Sequence, residues 1–397
     1  MQHSELFDVA VVGGGPAGAT AANDLALLGY RVCLLDRAGR IKPCGGAIPP
    51  KVIDEFEIPE SLLVARVNSA RMISPAHAAV DMPIEGGFVG MVDRADFDEW
   101  LRQRAKASGA VLVQGTFDRI TRGSDGVATV HFVPWAPLSA CELRARAIIG
   151  ADGAMSNVAK QCIPGADRIR YVAAYHEIVR IPAGMPAEKY LGTRCDVFYQ
   201  GRLSPDFYAW IFPHGETASI GVGSARKGFS LRSAVEKLRE MSALDHSATV
   251  RREGAPIPMK PLRRWDNGLD VVLAGDAAGV VAPASGEGIY YAMAGGRFAA
   301  GAVQRLLVTG DARALKLARR NFMKAHGMVF WVLGIMQRFW YSTDRRRERF
   351  VSICKDPDVQ RLTWQAYMHK KLVRAKPLTH VRIFAKDMAH LLGIVRA

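Results

Sequence analysis

Apolar and polar positions along the chain change their period several times, and each change marks an element. Phe7 to Val12 is a short apolar run of the kind buried on both faces of a parallel sheet, and the alanine-rich stretch behind it reads as a helix. Tyr30 to Leu35 is a second such strand, ending at Asp36. Leu143 to Lys160 repeats the arrangement, a strand running into Gly150-Ala151-Asp152-Gly153 with a helix behind it. Gly268 to Gly296 does so again: a strand meets Gly275-Asp276, then a proline and a glycine-rich approach to a long helix of small residues. The middle of the chain differs. In Ser204 to Gly215 the period is two, so Tyr208, Trp210 and Phe212 fall on one face of a strand. The stretch TASIGVG that follows reads as a neighbouring strand in which Gly221 and Gly223 leave space instead of filling it. Such an aromatic face is either plain core or the wall of a slot for something long, flat and apolar.

The glycines behind the first strand add chemistry. Gly13-x-Gly15-x-x-Gly18 sits between strand and helix, the context that a dinucleotide fingerprint requires. Gly13 allows the tight turn, Gly15 lets backbone approach a pyrophosphate, and Gly18 lets the helix pack on the strand. The free N–H groups and dipole at the helix start favour the anion. Ala17, in that first helical turn, belongs to the same candidate site. Asp36 follows Gly18 by 18 residues, close to the spacing at which an acid accepts hydrogen bonds from an adenosine ribose. This motif alone does not separate NAD from FAD. Asp152 and Asp276 each stand at the C-terminal end of a strand, where open parallel sheets bind ligands, although either carboxylate also suits the capping of a helix. Asp276 is suited to accept from ribityl hydroxyls, with N–H groups of a helix opening near Gly286, Gly288 and Ile289 offered to the pyrimidine end of a flavin. A ribityl chain exists only in flavins. No second Gly-x-Gly-x-x-Gly follows a strand, so a nicotinamide donor is expected to visit without a Rossmann domain of its own.

Composition narrows the classes. With 397 residues, 49% of them hydrophobic, the chain can bury a core for about two or three domains. The apolar run Met328 to Met336 is far shorter than the ~20 residues that span a bilayer. The first strand starts by about Leu6, which leaves no room for a leader, so folding in the cytoplasm is expected. Six scattered cysteines show no metal-ligand spacing, the histidines include no His-Glu-x-x-His, and no metal is assigned. From Arg297 to Ala397 there are 21 Lys/Arg against 6 Asp/Glu, so the whole excess of +15 sits in the last quarter. Such a tail suits nucleic acid, anionic lipid, an acidic partner or a solvated helical surface. No aromatic-interleaved recognition module accompanies it, which sets nucleic acid aside.

The three glycine-bearing segments, in this order, resemble those of the FAD-dependent oxidoreductases of the para-hydroxybenzoate hydroxylase fold. The resemblance implies that the first motif binds the adenosine diphosphate of FAD, that Asp152 serves the flavin site and the passing nicotinamide, and that Asp276 binds the ribityl chain. DRADFDEWL, Asp93 to Leu101, also matches, with Arg94 as the arginine that reaches the FAD. Thr116 occupies the position that contacts adenine through its backbone. Three more segments resemble the geranylgeranyl reductase family, in particular its chlorophyll and bacteriochlorophyll branch. KPCGGAIPPK, Lys42 to Lys51, carries a Cys-Gly-Gly loop, with Cys44 and Gly45, that in this family lies beside the isoalloxazine. SPDFYAWIFPHG matches Pro-x-x-Tyr-x-Trp-x-Phe-Pro through Pro205, Tyr208, Trp210, Phe212 and Pro213. The tail from Tyr341 to Val373 matches as well, so the resemblance covers essentially the whole chain.

The resemblance implies NAD(P)H-dependent saturation of a geranylgeranyl chain to phytyl, on geranylgeranyl-(bacterio)chlorophyll with NADPH as reductant. Free geranylgeranyl diphosphate is the alternative substrate, and a flavin monooxygenase of the same fold is the rival reaction. Tyr208, Trp210 and Phe212 would line the prenyl slot. Cys44, Tyr208 and Trp210 are the catalytic candidates, Cys44 as proton source, gate or merely a structural thiol. No Ser-His-Asp or paired-carboxylate constellation is present, so the flavin carries the chemistry. The expected fold is α/β: a Rossmann-like FAD-binding domain (1–70, 95–165 and 265–315), an inserted antiparallel-sheet substrate domain (71–94 and 166–264) and a basic helical C-terminal segment (316–397). Between Phe322 and Tyr341 an apolar helix precedes Arg345, Arg346, Arg347 and Arg349, which suits either internal packing or an anionic membrane surface. The expected location is therefore cytoplasmic and peripheral to the photosynthetic membrane, with pigment-synthesis proteins as further candidate partners.

Overall fold

The apolar runs Leu6–Val12 and Val32–Asp36 become adjacent parallel strands, buried almost throughout. Strands apolar on both faces need cover on both, which a parallel sheet with helical crossovers provides. The computed structural model describes residues 6–37, 41–135 and 141–370. In it the two strands form part of a parallel sheet in the order Val111–Arg122, Val32–Asp36, Leu6–Val12, Cys141–Gly150, Val271–Leu273. Ala128–Pro134 runs antiparallel to both Val111–Arg122 and Cys141–Gly150. Leu6–Val12 has Val32–Asp36 on one side and Cys141–Gly150 on the other, so the strand order reverses there. The loop behind Val12 thus opens at the topological switch point, where such sheets take ligands. Helices Pro16–Leu27 and Ile289–Thr309 approach closely: a Cβ on Gly296 would stand 2.2 Å from the carbonyl oxygen of Ala17.

These elements belong to the first of two units into which the chain divides, Met1–Ile41, Arg94–Tyr171 and Pro256–Phe330. The second comprises Lys42–Asp93, Val172–Ala255 and Trp331–Ala397. Its main sheet has seven strands in the order Thr249–Pro258, Tyr171–Arg180, Thr217–Ser224, Ala209–His214, Arg194–Phe198, Ser69–Ile73, Ala79–Pro83. Most neighbours are antiparallel, but Arg194–Phe198 and Ser69–Ile73 are parallel. A smaller sheet joins Ala47–Ile48 and Leu63–Val67 to either side of Val89–Val92. Alternation sorts the side chains. Ala209, Ile211, Ala218, Ile220 and Val222 pack with Ala234, Val235 and Leu238 of the helix Leu231–Met241. The amphipathic helix thereby covers one face, leaving the intervening residues, Trp210 and Phe212 among them, on the other.

Two stretches fall elsewhere than the sequence suggests. Residues 42–70, read as part of the flavin domain, lie in the second unit, because Ala47–Ile48 and Leu63–Val67 pair with Val89–Val92. The basic segment, read as a body of its own, is divided between the units at Phe330. Phe322 packs on Trp265 at 5.2 Å in the first unit, whereas Tyr341 packs on Tyr199 at 5.2 Å in the second. Residues 371–397 of that segment lie outside the described residues.

Candidate functional site

The glycine turn of the first unit is held by contacts that no side chain would permit. Gly13 has φ +105, and a Cβ there would stand 2.3 Å from the Ala151 carbonyl oxygen; one on Gly18 would stand 1.8 Å from the Gly13 oxygen. Around Gly15, by contrast, a Cβ meets nothing within 4 Å, so this backbone faces open space. Gly15 is the N-cap of Pro16–Leu27 and no side chain caps it. The helix start therefore presents N–H groups to an anion. Asp36 is fixed beside it, its Oδ2 accepting from the Gly14 N–H at 2.7 Å. Arg102, which the sequence reading missed, donates to the Gly14 carbonyl at 3.3 Å and pairs with Glu99 at 2.7 Å. Ala17 turns its Cβ toward Gly275, where a Cβ would stand 2.6 Å away, so it also joins the dinucleotide helix to the second motif.

Gly275–Ala278 form a short helical turn that ends at Gly279 with φ +83. Asp276 within it is buried, and a Cβ on Gly288 would lie 3.9 Å from its Oδ1. Gly288 is the N-cap of Ile289–Thr309, again without a side-chain cap, and Gly286 turns with φ +66. The structure thus brings Asp276, Gly286, Gly288 and Ile289 together: a carboxylate next to an uncapped helix start. This donor set fits the ribityl and pyrimidine ends of a flavin, and the cradle at Gly13, Gly15 and Gly18 fits its diphosphate.

Asp152 is occupied differently. Its carboxylate accepts from the N–H of Asn157 at 2.7 Å, from that of Val158 at 3.2 Å and from the Ser156 hydroxyl. Ser156 in turn accepts from Ala159 N–H at 2.8 Å and caps Asn157–Cys162. Burial pushes the Asp152 pKa up against the pull of these hydrogen bonds. The side chain opens a helix, and it is the backbone of Ala151 and Asp152 that meets Gly13. Arg94 is buried with its fork on Asp98, at 2.8 and 2.6 Å. Thr116 lies within Val111–Arg122 opposite Val133, its side chain exposed.

In the second unit the Cys44-Gly45-Gly46 loop rests on the aromatic strand. A Cβ on Gly45 would stand 2.7 Å from Cδ2 of Phe212, and one on Gly46, which has φ +73, 2.8 Å from Nε2 of His214. The Gly46 N–H donates to Cys44 Sγ at 3.4 Å. Tyr208, Trp210 and Phe212 follow one another with ring centroids 5.9 and 6.2 Å apart. Phe212 also touches a cluster that contains Val67, Met91 and Cys195 and receives Trp364, Tyr367 and Met368 from the helix Pro357–His369. That contribution of the tail was not foreseen. His214 was also missed; desolvation pushes its pKa below the ordinary 6.5, so its ring is held neutral.

One reading requires correction. Gly221 and Gly223 do not leave open space. A Cβ on Gly221 would stand 2.2 Å from Cζ2 of Trp210, and one on Gly223 2.7 Å from Cδ1 of Phe207, so aromatic rings occupy both gaps. Trp210 is anchored further: its indole Nε1–H donates to Ser219 Oγ at 3.1 Å, and Ser219 Oγ lies 2.8 Å from His176 Nδ1. Among the described residues no group of three or more His, Cys, Asp or Glu is arranged to hold a metal, and no helix is long and apolar enough to cross a membrane.

Known proteins resemble this chain along most of its length. Residues 7–177 match the pyridine nucleotide-disulphide oxidoreductase family. The chain is 57% identical to a geranylgeranyl diphosphate reductase of Rhodobacter capsulatus over 98% of both chains. It is 36% identical to a geranylgeranyl diphosphate reductase of a Synechocystis species, again over 98% of both. Among solved structures, a geranylgeranyl bacteriochlorophyll reductase-like protein from Thermoplasma acidophilum superposes with a TM-score of 0.82, at 19% identity, over 98% of this chain and 99% of that one. That likeness establishes the fold, a Rossmann-like α/β domain with an antiparallel-rich second sheet and C-terminal helices.

Proposed function

The chain belongs to the geranylgeranyl reductase family of FAD-dependent oxidoreductases, and from that premise we propose that it saturates the geranylgeranyl chain of a (bacterio)chlorophyll ester to phytyl, with NADPH as reductant. The observation that carries the substrate class is the seating of the Cys44-Gly45-Gly46 loop on Phe212, in line with Trp210 and Tyr208. Two distant motifs meet on one apolar, aromatic face, which suits a polyprenyl chain and excludes water from it.

When bound, reduced FAD supplies a hydride for one alkene carbon. The other carbon needs a proton, and Cys44 is the proposed source: its Sγ accepts from the Gly46 N–H, which leaves the thiol proton to be given away. Trp210 and Phe212 hold the chain, and Tyr208 lines the same face. Gly13, Gly15 and Gly18 with Asp36 are the proposed seat of the adenosine diphosphate, and Asp276 with Gly286, Gly288 and Ile289 that of the flavin end. Ala17 supports this by packing. Asp152, Arg94 and Thr116 are proposed as backbone and scaffold contributors, since the two charged side chains are engaged within the protein.

Anaerobic incubation with NADPH and geranylgeranylated bacteriochlorophyllide, followed by mass spectrometry of the pigment tails, tests the reading. Stepwise gains of two hydrogens are expected. Turnover on free geranylgeranyl diphosphate alone would move the substrate to the diphosphate, which the names of the relatives favour. A strict requirement for oxygen would make the enzyme a monooxygenase instead.

Peripheral attachment to an anionic membrane is part of the same proposal. Met328, Trp331 and Ile335 are exposed at helical spacing on Lys316–Trp340, and Arg338 and Arg345 lie nearby in sequence and exposed. Of the four arginines that follow, Arg347 does not serve: it is 2% exposed and holds the carbonyls of Pro205 and Tyr341. Arg346 lies over Phe339 at 4.2 Å. Binding to phosphatidylserine vesicles should weaken as salt rises and drop when Trp331 and Ile335 become serine. Indifference to both would mark the helix as scaffold.

A further inference from the structure

Behind Trp210 the second unit buries a chain of polar groups that the proposed chemistry does not use. Trp210 Nε1–H donates to Ser219 Oγ at 3.1 Å, Ser219 Oγ lies 2.8 Å from His176 Nδ1, and His176 Nε2 lies 2.8 Å from Glu253 Oε2. Arg251 pairs with Glu253 at 2.8 Å and reaches Asp93 at 3.2 Å. Trp210, Ser219 and His176 are 6, 0 and 3% exposed, so water does not compete for these bonds.

The donor inventory fixes the first link of the chain. An indole N–H only donates, so Ser219 must accept from Trp210. Ser219 Oγ keeps a second lone pair and one proton for His176 Nδ1, so that link holds whichever of the two donates, and His176 Nε2 continues the chain to the Glu253 carboxylate. Every member of the chain thus has a partner, and Arg251 compensates the carboxylate. At Gly221, a Cβ would stand 2.2 Å from the indole and 2.6 Å from the Cβ of His176, so the absent side chain lets the ring lie flat against the strand. Apolar packing alone would hold a tryptophan in this position. A buried polar chain of this length adds a fixed ring plane, at the cost of desolvating four side chains.

We propose that His176 is a positioning residue: through Ser219 it sets the plane of the Trp210 indole, and thereby the register in which a prenyl chain lies against it. The inference rests on the proposed reduction of a prenyl chain. Successive double bonds must each be brought to the same reacting place, so a tilted wall harms the later reductions more than the first.

The test uses holoenzyme with ¹⁵N-indole-labelled tryptophan, the Trp210 signal assigned by its loss in Trp210→Phe. In Ser219→Ala and His176→Leu the Trp210 indole N–H resonance should shift, and partly reduced tails should rise about fivefold relative to the fully reduced product. Flavin reduction by NADPH should stay as in wild type. His176→Gln, which can accept from Ser219 and donate to Glu253, should restore both readouts. A resonance unmoved in His176→Leu, or a moved resonance with an unchanged product distribution, overturns the proposal. If wild-type protein reduces no geranylgeranyl substrate, the functional reading fails and the role in substrate register falls with it. The resonance then decides separately whether His176 orients the indole.

Discussion

In the first unit a Cβ at Gly18 would stand 1.8 Å from the carbonyl oxygen of Gly13, whereas in the second a Cβ at Gly221 would stand 2.2 Å from the indole of Trp210. The clashes are alike in size and unlike in kind. Gly13, Gly18 and Gly296 each meet backbone, at 2.3, 1.8 and 2.2 Å, and backbone locked in a parallel sheet and two helices has nowhere to go. Gly45, Gly221 and Gly223 meet rings first, at 2.7, 2.2 and 2.7 Å, and a ring can turn at the expense of its contacts, although Gly221 also meets the fixed Cβ of His176 at 2.6 Å. A substitution in the first unit should therefore threaten the fold and the cofactor together. One in the second should change how a substrate is held and leave the cofactor in place.

The sharpest break between the units is Gly18→Ala against Gly221→Ala. Gly18→Ala should lose the flavin absorbance and destabilise the protein by about 3 kcal/mol, the upper range for overpacking. Gly221→Ala should stay yellow while alkene reduction falls; equal FAD contents and melting temperatures in the two variants would remove the distinction. Asp276→Ala should weaken FAD by roughly 30-fold, the worth of a hydrogen bond to a charged group, measured by fluorescence titration of apoprotein. Retention of wild-type affinity would unseat Asp276 as the ribityl acceptor. Trp210→Ala should slow alkene reduction about tenfold while flavin reduction by NADPH is unchanged. Parallel losses in both half-reactions would return Trp210 to the core.

The smallest effect concerns His214. Its folded pKa lies below 6.5 because burial penalises the imidazolium, while Asp93 pulls the other way and His176 and Arg251 reinforce the shift. The unfolded chain therefore takes up this proton first. Stability should be full above about pH 6.5 and fall as pH drops below it, by at most ~1.4 kcal/mol per pH unit until the folded pKa is reached. Urea unfolding at several pH values should show this slope reduced in His214→Phe. An unchanged slope would mean that the ring is as accessible to protons as in the unfolded chain.

Legibility followed the same division. Gly13, Gly18 and Asp36 were readable because strand, turn and helix are contiguous and backbone contact demands glycine at fixed offsets. The placing of Asp276 beside the helix start at Gly288 and Ile289 was readable for the same reason, whereas Asp152, at a similar strand end, spends its carboxylate on a helix cap. Nothing local tells those two uses apart. In the second unit, Trp210, Ser219, His176 and Glu253 come from four strands, and only the pairing of Tyr171–Arg180, Thr217–Ser224 and Ala209–His214 brings three of them into register. Gly221 was misread as open space because a missing side chain looks the same in a sequence whether a neighbour fills the gap or not. Arg347 was misread as surface charge because a run of arginines does not reveal which one turns inward.

The cluster that joins Val67, Val89 and Met91 to Trp364 and Tyr367 sets a timetable for biosynthesis. At about 5–20 residues per second, a ribosome makes the helix Pro357–His369 roughly 15–50 s after Met91 has left the peptidyl-transfer centre. Throughout that interval the small sheet carrying Met91 lacks its native cover, and Phe212 joins it with the same side bare. A nascent chain in this condition is a client for holdase chaperones, and premature termination before Pro357 would leave it so permanently. Terminal truncation should consequently show itself first as inclusion bodies and proteolytic turnover, well before any kinetic defect can be measured.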